Sequence, residues 1–299
     1  MKKHLIYLCM FLLPAALMSC SNEDNEVDTA NSIFEDSADD AEMNEFDQWL
    51  LENYIYPYNV QVKYRLDDKE TDVEYDLVPA DYDKAFALAR IVKYVWMEAY
   101  DEVWGIETTR TYVPKTIQMV GNVAYTESGM ILGQAEEGMK VMLFMVNSLD
   151  VNNLDMAMLN EYYFKTMHHE FTHILNQTKA YDPAYDRITE GDYIGSDWYM
   201  IMDAEALQKG FISPYAMDRG SEDFAEMVSI YVTNTAATWE SFLQAAEPVD
   251  PDAEVNGRAI LEQKFDIVYK YMQDSWGIDL NELREVVQRR QSEINLLFN

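Results

Sequence analysis

The hexapeptide His168-His169-Glu170-Phe171-Thr172-His173 constrains this chain more than any other stretch. The sequence holds four histidines, and three of them fall inside these six residues. His169 and His173 are four apart, so on a helix both imidazoles leave one face and can bind one metal ion. Glu170, between them, is placed to take a proton from a water activated by that ion. The flanking residues agree with a helix. Leu159, Tyr163, Met167, Phe171 and Ile174 form an apolar stripe that predicts one over 159–177, its far side seated in a core. His168 is out of register with the pair and reads as a flanking polar residue.

A catalytic zinc ion takes three protein ligands and keeps a fourth position open. A third histidine six residues beyond the second is ruled out, because Asn176 and Lys179 stand where that pattern needs glycine and histidine. The third ligand should therefore be a carboxylate. Ser221-Glu222-Asp223-Phe224-Ala225-Glu226 is the best source, with Ser221 expected to cap a helix running to about Val232. Glu222 and Glu226 are four apart on one face, similar to the gluzincin arrangement. There the first acid binds zinc and the second orients a histidine ligand. Asp223, Glu226 and Glu190 remain alternatives to Glu222, since acids at a helix start are favoured by the helix dipole anyway. Tyr215 is a candidate hydrogen-bond donor to a developing oxyanion, with simple packing as its other reading in a chain of 21 tyrosines. Trp198 and Tyr199, in a polar stretch between the two segments, are candidates to line a cleft. The run Gly129–Gly133 could be an edge strand along which a substrate aligns, or a buried hairpin strand.

The rest of the chain supplies a setting. Lys2, Lys3 and an apolar stretch over 5–16 read as a secretory signal too short to span a bilayer. Leu17-Met18-Ser19-Cys20 then resembles a bacterial lipobox, which makes residues 1–19 a signal peptide and Cys20 the acylated first residue. Only Cys9 and Cys20 are present, so the processed chain can form no internal disulfide. Residues 20–44 are rich in Asp, Glu, Ser and Ala and read as an acidic flexible tether. Acidic residues outnumber basic ones 54 to 22, for a net charge of −32. That balance argues against nucleic acid, whose phosphates need clustered Lys and Arg.

Folded sequence is expected over 45–299. Val60–Arg65, Thr116–Tyr125, Gly129–Gly133 and Lys140–Val146 read as strands, the last two joined by a turn at Glu136-Glu137-Gly138. Helices are expected over 81–103, ended by Gly105, and over 257–274 and 280–297, the last announced by Asp279 and Glu282 as a capping box. This predicts an α+β domain: a small, mostly antiparallel sheet followed by a helical half.

The lipobox, the acidic tether, HHEFTH and SPYAMDRGSEDFAEM together resemble the substrate import-associated zinc metallohydrolase lipoproteins, a family of zinc-binding metallopeptidases. The specific part of the resemblance is Tyr163 to Tyr231. It implies a zincin-like core with His169, His173 and Glu222 as ligands of one Zn2+ and Glu170 as base. Also implied are a peptide or protein substrate and a lipid-anchored, surface-exposed place on the outer membrane beside a TonB-dependent uptake complex. The competing expectation is a non-catalytic surface lipoprotein that binds nutrients or partners and keeps zinc for structure.

Overall fold

The computed structural model describes residues 43–66, 76–126, 129–131, 133–136, 140–250 and 253–298. The signal segment, Cys20, the tether up to residue 42 and the turn residues 137–138 lie outside them. Residues 45–299 form one unit.

Long helices carry much of this unit. Helix α1 spans residues 45–58 and leads into strand β1, Gln61–Lys63. Helix α2, residues 82–104, buries Leu88, Val92, Val95 and Ala99 along the expected stripe. It ends at Gly105, whose φ of 89° a side-chain-bearing residue would adopt only with strain. A short helix that the periodicity did not announce, α3 (Ile106–Tyr112), follows.

The sheet corrects the sequence expectation. Strands β2 (Thr116–Met119), β5 (Gly133–Glu136) and β6 (Lys140–Leu143) join β1 in the order β1-β2-β6-β5. β1 and β2 are parallel with Val62 opposite Ile117, and β2 and β6 are parallel with Ile117 opposite Val141. Only β5 is antiparallel, pairing Gly133 with Leu143. The reason is connectivity and burial. The β1–β2 crossover contains α2, and a crossover of that size is what parallel pairing requires. Both faces of the inner strands are covered: Ile117, Met119, Val141 and Leu143 join the main core, while Val120, Met142 and Phe144 pack with Leu66 and Leu77 behind the sheet. Strands buried on two faces read as continuous apolar runs, not alternations. The Gly129–Gly133 expectation is also displaced. Residues Gly129–Ile131 (β4) pair with Ala124–Thr126 (β3) in a separate two-stranded ladder, and the edges of the sheet are β1 and β5.

Helix α4 runs over residues 156–178 and carries the histidines. Its turn at Asn160–Phe164 is a π turn. This accounts for a stripe spaced mostly by fours. In a regular helix each step of four overshoots a full turn by ~40°, so repeated steps walk the stripe around the axis. The wider turn takes up part of that drift, and Leu159, Tyr163, Met167, Phe171 and Ile174 all remain buried. Asn160 fastens the turn, donating to the Thr233 carbonyl at 2.9 Å and accepting from Gln291 at 2.9 Å.

After two short helices, α5 (Ala184–Ile188) and α6 (Asp203–Gln208), comes α7, Gly220–Thr233, which packs along α4. Ser221 does not cap α7. The helix begins one residue earlier, with Arg219 at the cap position and no side-chain cap. Helix α8 (Ala236–Ala245) was likewise not expected from the sequence. Helix α9 (residues 257–276) and α10 (Leu280–Glu293) close the fold. Asp279 accepts from the backbone N–H groups of Asn281 and Glu282, as the capping pattern anticipates.

Candidate metal centre

Helix α4 has two chemically different sides. Phe171 packs edge-on against Trp96 and Tyr100 of α2, with ring centroids 5.6 and 4.8 Å away. His169 and His173 project toward α7 instead. Their Nε2 atoms are 3.1 Å apart, and Oε2 of Glu222 lies 3.0 Å from the first and 3.1 Å from the second. Among the described residues these three form the one group of histidine, cysteine and carboxylate side chains arranged to hold a metal ion.

The donor set fits zinc. Tetrahedral bonds of ~2.0–2.1 Å hold ligand atoms about 3.3 Å apart, close to what is found here. Two ring nitrogens facing each other across 3.1 Å also want a cation between them more than they want each other. The far nitrogen of His169 agrees: its Nδ1 lies 3.0 Å from Glu226 Oε1, so an Nδ1–H donated there leaves the Nε2 lone pair aimed at the centre. Glu226 is in turn held from its other oxygen by Ser213 Oγ at 2.6 Å and Lys165 Nζ at 2.8 Å.

The charges around the centre are set by the same contacts. Burial would lower His169, but the hydrogen bonds and charges of Glu222 and Glu226 outweigh it and push the imidazole up to about 9. Glu222 resists its own burial and is held far below the usual carboxylate range by hydrogen bonds from both histidines. Glu226, also buried, is brought down to about 2 by Lys165 and His169. Glu170 behaves differently: burial raises it, against the opposing pull of His169 and His173. Tyr215, in the turn Tyr215–Met217 ahead of α7, has its ring 5.7 Å from that of His169. Burial and the neighbouring Glu222 raise its hydroxyl far above its usual range, so it stays protonated. Trp198 packs edge-on against Tyr215 at 5.1 Å.

Other candidates fall outside the cluster. Asp223 points away from the histidines to Lys264, at 2.6 Å, and accepts from Tyr193 at 3.0 Å. Glu190 is exposed in a turn. His168 flanks the pair without joining the metal group, as expected. It is fully buried, with Nδ1 3.0 Å from the Tyr100 hydroxyl, and burial holds it neutral, down to about 3.

Three supporting residues escaped the sequence reading. Lys165 is four residues before His169, a helical spacing that could have revealed it. Ser213 and Asp186 carry no such signal. Asp186 approaches the first residue of α7 so closely that a Cβ on Gly220 would meet its Oδ1 at 2.1 Å. Glycine there lets a carboxylate lie at the positive end of the ligand-bearing helix.

This geometry defines a group of side chains arranged to hold a metal ion, and the comparisons agree. Residues 39–281, more than half of the chain, match a family model described as "Putative zinc-binding metallo-peptidase", and the chain belongs to that family. A crystal structure from Bacteroides caccae ATCC 43185, described as a putative zinc-binding metallo-peptidase, shares 41% identity with it. The two superpose with a TM-score of 0.70, covering 85% of this chain and 96% of that one. No functionally curated protein matches the sequence.

Proposed function

We propose that the protein is a zinc-dependent metallopeptidase that hydrolyses peptide bonds, with His169, His173 and Glu222 holding one ion. The observation that carries this reading is the convergence of three ligand atoms within 3.0–3.1 Å of one another. Bound there, zinc would supply Lewis acidity toward a carbonyl and a water that ionises near neutral pH.

The remaining work falls to the chain's own groups. Glu170 accepts the proton of the attacking water and returns it to the leaving amine. Its raised proton affinity suits both halves of that exchange. Tyr215, protonated and beside the centre, donates a hydrogen bond as negative charge builds on the carbonyl oxygen. Glu226 fixes the tautomer and orientation of His169, while Ser213 and Lys165 hold Glu226 in place.

Glu170→Gln tests the assignment. It should retain zinc, measured by elemental analysis, and lose about 10²–10⁴-fold in peptide cleavage. A Glu170→Gln variant as active as the parent, or a parent indifferent to chelator, would refute it.

The proposal extends to location. The Leu17–Cys20 motif supports acylation of Cys20, and the acidic residues behind it support export to the outer face of the outer membrane. Association with a TonB-dependent uptake complex is supported by the family resemblance alone. Labelling with a palmitate analogue should mark the parent and not Cys20→Ala, and protease applied to whole cells should degrade the parent.

A further inference from the structure

The aromatic wall of the metal centre continues outward to the protein surface. From His169 the ring contacts run to Tyr215 at 5.7 Å, on to Trp198 at 5.1 Å, and from there to Tyr199 at 6.4 Å. The segment bearing the outer rings is fixed to the turn that carries Tyr215. The Ile194 N–H donates to the Met217 carbonyl at 2.8 Å, and the Gly195 N–H to the Asp218 carbonyl at 3.1 Å. Ile201 anchors the same segment against the core.

Beyond Trp198 three large apolar side chains stand in water within four residues: Tyr199 is 50% exposed, Met200 62% and Met202 71%. No other four-residue stretch among the described residues carries two such side chains. An exposed apolar run, linked by ring contacts to a polar reactive centre, has the make-up of a substrate subsite, because the centre supplies chemistry and the apolar side chains supply affinity. Methionine thioethers are flexible and polarisable and accommodate apolar groups of varied shape. The setting is acidic as well. Asp197 and Asp203 flank these side chains, both exposed and neither ion-paired with any of the described residues, in a chain of net charge −32.

We propose that Tyr199, Met200 and Met202 form a specificity subsite for a bulky apolar side chain of a peptide whose neighbouring residues are basic. The proposal rests on the peptidase reading of the same centre and names its substrate class. Orientation comes from the fixed Tyr215–Trp198 wall, and discrimination comes from the exposed side chains.

The test uses short fluorescent peptides that vary one position among Phe, Leu, Ala and Glu, flanked by Lys. The zinc-loaded parent should cleave the Phe and Leu peptides at least about 10-fold faster than the Ala peptide, the discrimination an apolar pocket can provide. The combined Tyr199→Ser, Met200→Ser, Met202→Ser variant should bring that ratio close to one. The Met200→Ser, Met202→Ser pair, which leaves the aromatic residue in place, should fall between. A parent without the preference, or a triple variant that keeps it, overturns the subsite and leaves the peptidase reading standing. Failure of the peptidase reading has a different signature: no peptide is cleaved by parent or variant. In that event, binding of the same peptides to zinc-loaded Glu170→Gln, read by fluorescence anisotropy, decides. Tighter binding of the Phe peptide that the triple substitution removes upholds the subsite, and equal binding of all peptides overturns it.

Discussion

Glu222 and Asp223 are neighbours at the start of one helix, yet they meet opposite environments. Glu222 reaches two imidazoles and lies partly open to solvent. Asp223 is fully buried against Lys264, which also donates to the Gly210 carbonyl and lies 3.9 Å over the Phe211 ring. One carboxylate therefore has a lysine built into the protein as its cation, and the other meets two imidazoles whose nitrogens converge where a cation from outside can sit. Burial raises Asp223 and lowers Lys264, each opposed by the other's charge. Glu222, by contrast, is held firmly ionised. Successive residues on a helix point about 100° apart, which is enough to separate the structural acid from the chemical one.

That contrast can be broken from either side. Lys264→Met leaves Asp223 buried without its partner and should cost about 3–5 kcal/mol in denaturant unfolding. Replacing both members with apolar residues should recover most of the loss, and a single variant as stable as the parent would show that the pair is not the anchor of this helix start. Glu222→Ala should act in the opposite way. Metal affinity, titrated with a fluorescent zinc chelator, should fall more than about 100-fold, beyond the 10–100-fold typical of a supporting residue. Stability measured in excess chelator should fall by less than in Lys264→Met, since Glu222 is only partly buried. Glu226→Gln should fall inside that 10–100-fold range, because His169 keeps its place but loses its ionised partner.

The smallest step, taken per pH unit, concerns His168, the histidine of the hexapeptide outside the metal group. Its folded value lies down at about 3, while an exposed histidine titrates near ~6.5. Below ~6.5 the unfolded chain takes up a proton that the folded protein refuses, so stability falls as pH falls. The slope is about 1.4 kcal/mol per pH unit until the folded value is reached. His168→Gln should remove that slope from unfolding curves collected in chelator between pH 4 and 6.

What was legible in the sequence was whatever is local. His169, Glu170 and His173 lie within one helical turn or so, and Glu222 and Glu226 repeat that spacing, so their shared faces follow from 3.6 residues per turn. The order of the strands was not legible. Residues 141–144 run apolar without alternation, which marks burial on both faces but leaves the partner strands open. Short strands close in sequence favoured an antiparallel reading, and the long α2 crossover decided otherwise. Lys264 meeting Asp223 across 41 residues, or Ser213 meeting Glu226 from a turn, depends on how α9 and the connecting segment pack. No periodicity encodes that. Ser221 illustrates the limit in miniature: the residue type was right for a cap, but the helix starts before it.

The π turn at 160–164 acts on the metal centre from a distance. Everything after it inherits an angular phase set by one surplus residue. Winding the same residues in the ordinary repeat, with none removed, would swing the later side chains by roughly 100° around the axis. Phe171 would leave its nest of rings on α2, and the two imidazoles would turn from the acids on α7, although no group that does chemistry had been touched. The reactive geometry is thus timed by a spacer, much as the mesh of a gear depends on teeth that carry no load.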